Sequence, residues 1–129
     1  MTIKEVSKTY DIPVDTLRYY ERVGVIPPVT RRESGIRDFT EQDLAWVSLA
    51  KCMRGAGLPV EVLIEYVKLY REGAETIPAR LSLLQDTRET LLEKRAEIDE
   101  TLSRLDYKIS RYEEAVKTGT LTWDKSAKP

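Results

Sequence analysis

The chain has 129 residues, 33% of them charged, and a formal net charge of −1, which excludes a uniformly basic nucleic-acid binder. A single Cys rules out an internal disulfide, and the complete lack of His removes the commonest general base and transition-metal ligand, so no metal site of zinc, copper or mercury type is expected within one chain. Apolar runs fall far short of the roughly 20 residues that cross a bilayer, and Met1 leads straight into a helix cap without an apolar leader, so the expected location is cytoplasmic, with no membrane contact.

This length accommodates one domain, or a small domain with an extension. Residues 1–57 carry nine Lys/Arg against eight Asp/Glu, and residues 58–129 carry twelve against fourteen. Any DNA site must therefore be a local patch rather than a global field. Thr2-Ile3-Lys4-Glu5 has the form of a capping box and opens a helix expected to run to about Lys8. Asp11-Ile12-Pro13 makes a turn. A second helix follows through Val23, with Gly24 at its C′ position. Two short helices joined this tightly form a helix-turn-helix.

The second helix carries Thr16, Arg18, Tyr19, Tyr20 and Arg22. Arginines pair with phosphates or guanine edges, and tyrosines donate to phosphates while packing on sugars, so this set suits a helix entering a DNA groove. A helix that merely snorkels its tyrosines is the bland alternative. Tyr20 has two readings: it either supports a phosphate contact or belongs to the core, because helical spacing aligns Thr16, Tyr20 and Val23.

Pro27-Pro28 stops any helix. Ser34-Gly35 then reads as a hairpin turn between two short arms bearing Arg31, Arg32 and Arg37. These arginines are expected to have few acidic partners and to take phosphate, which makes the hairpin a wing; an ordinary surface hairpin with solvated arginines is the bland alternative. Thr40-Glu41-Gln42-Asp43 caps a third helix whose inward face is Leu44, Val47, Leu49 and Ala50, ending near Arg54 with Gly55 and Gly57. Pro59 starts a fourth helix to Glu72, with Gly73 as its stop and Val60, Leu63, Ile64, Val67 and Leu69 as its apolar face.

From about Pro78 to Lys117 the pattern becomes a heptad seam. It runs Leu81, Leu84, Arg88, Leu91, Arg95, Ile98, Leu102, Leu105, Ile109, Tyr112, Val116, with nine of the eleven positions apolar. These 36 residues span about 54 Å at a rise of about 1.5 Å each. A compact N-terminal domain cannot bury a stripe of that length, so the simplest partner is the same helix of a second copy. Leu84, Leu91, Ile98, Leu102, Leu105, Ile109 and Tyr112 are the expected dimer contacts. The expected organisation is a DNA-binding domain over 1–73, a linker and dimerisation helix over 74–118, and a tail over 119–129 in which Trp123 either docks on the dimer or leaves the tail loose.

Thr16-Leu17-Arg18-Tyr19-Tyr20-Glu21-Arg22-Val23-Gly24, followed by Arg32, Gly35, Arg37 and Phe39, then by Thr40-Glu41-Gln42-Asp43-Leu44 and Gly57, resembles the MerR family of bacterial transcription regulators over nearly the whole chain. Pro13 and Pro59 depart from the helix-capping residues usual there, and Phe39 stands where many members carry Tyr. The resemblance implies a mainly α fold: a winged helix-turn-helix domain followed by a long C-terminal helix that dimerises as an antiparallel coiled coil. It also implies double-stranded promoter DNA as the partner, activation by untwisting and bending that DNA, and RNA polymerase acting at the same promoter. By position it places Thr16, Arg18 and Tyr19 toward the groove, Tyr20 and Arg22 at or behind the phosphates, and Arg31, Arg32 and Arg37 on the wing.

No paired carboxylates in a cleft, no phosphate-cradling glycine loop and no nucleophile motif are visible, so neither a catalytic residue nor a cofactor is expected. Cys52, in Lys51-Cys52-Met53-Arg54, has two readings. A free Cys is most often a small buried hydrophobe. The flanking cations favour a reactive thiolate, while the C-terminal end of a helix disfavours one. The chain resembles the MerR branch with a lone Cys in this helix, which implies a sensor thiol for aldehydes, other electrophiles or nitrosative stress. Two rivals stand beside it: a regulator holding a small apolar ligand near Tyr66, Tyr70 and Ile77, with Cys52 structural, and a coiled-coil adaptor that binds protein.

Overall fold

In a computed structural model the described residues are 1–124; the end of the predicted tail, 125–129, lies outside them. The described residues form five α-helices: α1 (Ile3–Tyr10), α2 (Val14–Val23), α3 (Glu41–Gly55), α4 (Val60–Glu72) and α5 (Ile77–Thr118). Among the described residues there is no strand, only an antiparallel bridge between Arg31 and Arg37. Packing separates two compact units, Met1–Thr87 and a second beginning at Arg88.

Local chemistry accounts for the helix ends. Thr2 accepts from the Glu5 amide at 3.2 Å, and Glu5 accepts from the Thr2 amide at 3.0 Å, completing the expected box. Those bonds to Thr2 hold the Glu5 carboxyl below its ordinary pKa. The helix runs two residues beyond the sequence expectation, because Asp11 adopts a left-handed conformation (φ 54°) and its amide caps the Ser7 carbonyl. Thr40 and Asp43 form the same reciprocal cap on α3. Gly24 closes α2 at φ 90°, a backbone geometry that a side chain would strain.

The first unit closes around one core. Val6 of α1, Leu17 and Tyr20 of α2, Val25, Ile26 and Val29 of the following segment, Phe39, Val47 and Ala50 of α3, and Leu63 of α4 are all buried together. Leu58 and Val67 are buried as well. Between α4 and α5 lies a short 3₁₀ turn, Ala74–Thr76, that the sequence reading treated as linker.

In the second unit, α5 carries its apolar stripe in the open. Ile98, Leu102, Leu105, Ile109 and Tyr112 are each about half exposed or more, and Val116 is 86% exposed. After Gly119 the chain folds back on α5. Trp123 packs against Tyr107 and Tyr112 with ring centroids 6.1 Å apart in both cases. Arg111 Nε donates to the Thr122 carbonyl at 2.7 Å, and the Asp124 amide donates to the Tyr107 hydroxyl at 2.8 Å. Trp123 thus packs on α5 of its own chain.

Candidate nucleic-acid interface

Helix α2 presents two opposed faces. Leu17 and Tyr20 go inward, and Tyr20 is only 8% exposed. The idea that Tyr20 reaches a phosphate is therefore corrected: its ring is part of the core and supports α2 from beneath. Arg18, Tyr19 and Arg22 are exposed and Thr16 is half-buried. The Arg22 guanidinium lies 5.5 Å from the Tyr19 ring centroid, a cation–π arrangement that pre-orients both. Arg18 meets Asp15 at 3.3 Å on the open surface, a pair that DNA phosphates can displace at little cost.

The wing is a minimal hairpin. Gly35 takes φ 88°, its amide donates to the Arg32 carbonyl at 2.8 Å, and the Arg32 amide donates to Ile36 at 2.8 Å. The expectation that the wing arginines have few acidic partners is not met, since each of the three has one. Arg37 Nε donates to Glu21 Oε1 at 2.6 Å, Arg31 Nη2 donates to the same oxygen at 3.3 Å, and Arg32 lies 3.7 Å from Asp38. The other Glu21 oxygen accepts the Val29 amide at 2.6 Å. Sequence reasoning missed Glu21 because its partners lie ten and sixteen residues away.

Two further ties set the wing on the domain. Asp38 faces the Met1 amino group at 3.2 Å. Asp43 accepts the Thr40 amide at 2.9 Å and the Thr30 amide at 3.3 Å. Partial burial pushes the Asp43 carboxyl up, but the Thr40 and Thr30 hydrogen bonds outweigh it and bring the pKa below the ordinary value.

Cys52 is exposed, against the buried-hydrophobe reading of a lone Cys. Its two flanking cations are engaged elsewhere: Lys51 Nζ donates to the Tyr10 carbonyl and Arg54 Nη1 to the Leu58 carbonyl. Near the place expected for an apolar ligand, Trp46 of α3 packs on the α4 tyrosines, 5.8 Å from Tyr66 and 5.0 Å from Tyr70, while Ile77 is exposed. No cluster of three or more His, Cys, Asp or Glu fit for a metal ion exists among the described residues. Among the described residues no helix is long and apolar enough to cross a membrane. Of the expected dimer contacts, Leu91 is half-buried, whereas Leu84, Ile98, Leu102, Leu105, Ile109 and Tyr112 are exposed along α5.

A helix-turn-helix whose second helix displays Arg18, Tyr19 and Arg22, with a basic wing braced to it, defines a winged helix-turn-helix DNA-binding protein. Comparison with known proteins narrows the class. A profile described as MerR HTH family regulatory protein matches residues 1–69. The chain is 55% identical over 93 residues to the HTH-type transcriptional regulator AdhR of Bacillus subtilis (strain 168), a match covering 72% of this chain and 66%, just under two thirds, of that regulator. The crystal structure of HiNmlR, a MerR family regulator lacking the sensor domain and bound to promoter DNA, superposes with a TM-score of 0.83 at 32% identity, covering 93% of this chain and 95% of that one. A Listeria monocytogenes structure assigned to the same family gives a TM-score of 0.87 at 44% identity, covering 92% and 90%. The chain belongs to the MerR family and is a DNA-binding transcription regulator, a non-enzymatic role.

Proposed function

We propose that this regulator binds promoter DNA as a homodimer and activates transcription by untwisting and bending the DNA, in response to aldehydes or other electrophiles that modify Cys52. The observation that carries the sensing role is the position of the thiol: it is exposed, and it lies on α3 of the DNA-binding unit. A reagent therefore reaches it without unfolding the domain. A thiolate adds to the carbonyl carbon of an aldehyde while a proton goes to the oxygen, giving a hemithioacetal; oxidants place the same sulfur on the sulfenic acid and disulfide ladder.

Helix α3 also supplies Val47 and Ala50 to the core beneath α2. An adduct on its surface shifts α3 and tilts α2, and so changes the twist imposed on the promoter. Distorting a site of this kind costs about 1–10 kcal/mol, offset by phosphate contacts, so small tilts change occupancy and geometry appreciably. Thr16, Arg18, Tyr19 and Arg22 face the groove and its phosphates, and the wing adds Arg31 and Arg32. RNA polymerase benefits indirectly, from realigned promoter elements. Work on promoter DNA puts the protein in the cytoplasm.

Homodimerisation is supported by the exposed stripe Ile98, Leu102, Leu105, Ile109 and Tyr112, which a second α5 would cover. Similarity to AdhR and to a DNA-bound family member supports the reading as a whole. The test is promoter transcription by wild type and Cys52→Ser, with and without a small aldehyde. Induction of wild type alone is expected. Equal induction of the Ser variant would remove Cys52 from the mechanism.

A further inference from the structure

Glu21 is 11% exposed, and its two oxygens serve three donors. Two bonds are short and come from sheltered groups: the Val29 amide at 2.6 Å, and Arg37 Nε, also at 2.6 Å, from a side chain 22% exposed. The third is long, 3.3 Å, and comes from Arg31, whose side chain is 45% exposed. These three contacts are not equivalent.

From this inequality we infer that Glu21 is a positioning residue that divides the wing arginines: Arg37 stays on Glu21 as a strut, while Arg31 is parked there only in the free protein and moves to a DNA phosphate on binding. The inference rests on the DNA-binding role and adds a division of labour within it. A sheltered carboxylate must keep a cation nearby, and Arg37 meets that need. Losing Arg31 leaves Glu21 with two short hydrogen bonds, so nothing is orphaned. A long, half-exposed ion pair is weak, and a charge-assisted bond to phosphate is stronger. Arg31 Nη1 also donates to the Gly35 carbonyl at 3.0 Å, an exposed bond at the tip of the wing that water can replace when the guanidinium turns to a phosphate. The trio Glu21, Arg31 and Arg37 carries one net positive charge, which fits one phosphate neutralised per wing by this pair rather than two.

The experiment measures affinity for a duplex selected by the wild-type protein from a random library, across a salt series. Each phosphate contact contributes about 0.9 to the slope of log K against log salt. Arg31→Ala is expected to lower the slope by about 0.9 per protomer, with the thermal midpoint almost unmoved. Glu21→Gln frees rather than disables the arginines, so its slope is expected to equal or exceed that of wild type even though stability falls. A shallower slope for Glu21→Gln would mean that the carboxylate only holds the wing together, and an unchanged slope for Arg31→Ala would mean that Arg31 never leaves it. Either result overturns the inference. If Glu21→Gln does not fold by circular dichroism, Arg31→Ala, a change at an exposed side chain, still decides. A wild-type protein with no salt dependence at all would instead overturn the DNA-binding reading itself.

Discussion

Arg80 Nε donates to the Thr76 hydroxyl at 3.0 Å, and that hydroxyl lies 2.5 Å from the Leu69 carbonyl and 2.8 Å from the Gly73 carbonyl. Arg80 Nη2 also donates to Gly73 at 3.1 Å, while its guanidinium lies 5.5 Å from the Tyr70 ring centroid. Gly73 sits at φ 114° where α4 ends, and the Leu69 and Gly73 carbonyls there are met by the Thr76 hydroxyl and the Arg80 guanidinium, with the Thr76 amide also donating to the Gly73 carbonyl at 3.1 Å.

Thr76 is buried, so removing its hydroxyl strands polar groups away from water. Thr76→Val is expected to cost about 1–3 kcal/mol, the usual penalty for an unsatisfied buried group. Thr76→Ser, which retains the hydroxyl, is expected to lose much less. Denaturant unfolding of the three proteins checks this, and equal losses for Val and Ser would assign the effect to packing.

Adjacent tyrosines on α2 should separate stability from binding. Tyr20 is in the core, and aromatic truncations there cost about 3–5 kcal/mol. Tyr19 is 38% exposed, with Arg22 over its ring and Tyr20 tilted beside it at 6.3 Å between centroids. Tyr20→Ala should therefore lower the unfolding midpoint strongly. Tyr19→Ala should leave it nearly unchanged while weakening DNA binding. Thermal melts paired with a DNA titration test the split; a large melting loss for Tyr19→Ala would contradict the two-face assignment.

The features legible in the sequence are the short-range ones. Thr2 with Glu5, Thr40 with Asp43, Gly24, Gly35 and Gly73 each do their work within a few residues, so their types and spacing suffice. The heptad stripe is legible because it repeats. Glu21 was not, since nothing local distinguishes it from the other acids on the surface; its role depends on the wing folding back across ten to sixteen residues. The same holds for Thr76, which acts by meeting the carbonyls left where α4 ends, and for Trp123, which finds Tyr107 and Tyr112 across a turn. Tyr19 and Tyr20 were told apart by burial, where helical phase left both readings open.

Asp43 gives a pH signature. Its folded pKa lies below the ordinary carboxylate value because the ionised form accepts from Thr40 and Thr30. A depressed folded pKa contributes stability that is fully present above the unfolded value, about 3.9, and is lost as pH falls through the lower folded value. Asp43→Asn keeps the side-chain shape but not the charge. It should lower the melting temperature at neutral pH, and the difference from wild type should shrink toward pH 3. A gap that stays constant across that window would show that the carboxylate's charge contributes nothing.

The stripe on α5 yields the sharpest assembly prediction. Leu102 and Ile109 are about half exposed, at 50% and 53%, and sit at equivalent heptad positions seven residues apart. If a second α5 covers them, Leu102→Asp buries a charge in a mainly apolar seam. The expected result is a monomer by sedimentation at concentrations where wild type is dimeric, with DNA affinity reduced because two half-sites are no longer held by one molecule. Lys94→Ala, off the seam, should leave the association state as in wild type. A Leu102→Asp variant that still sediments as a dimer would mean that the stripe lies outside the interface between copies.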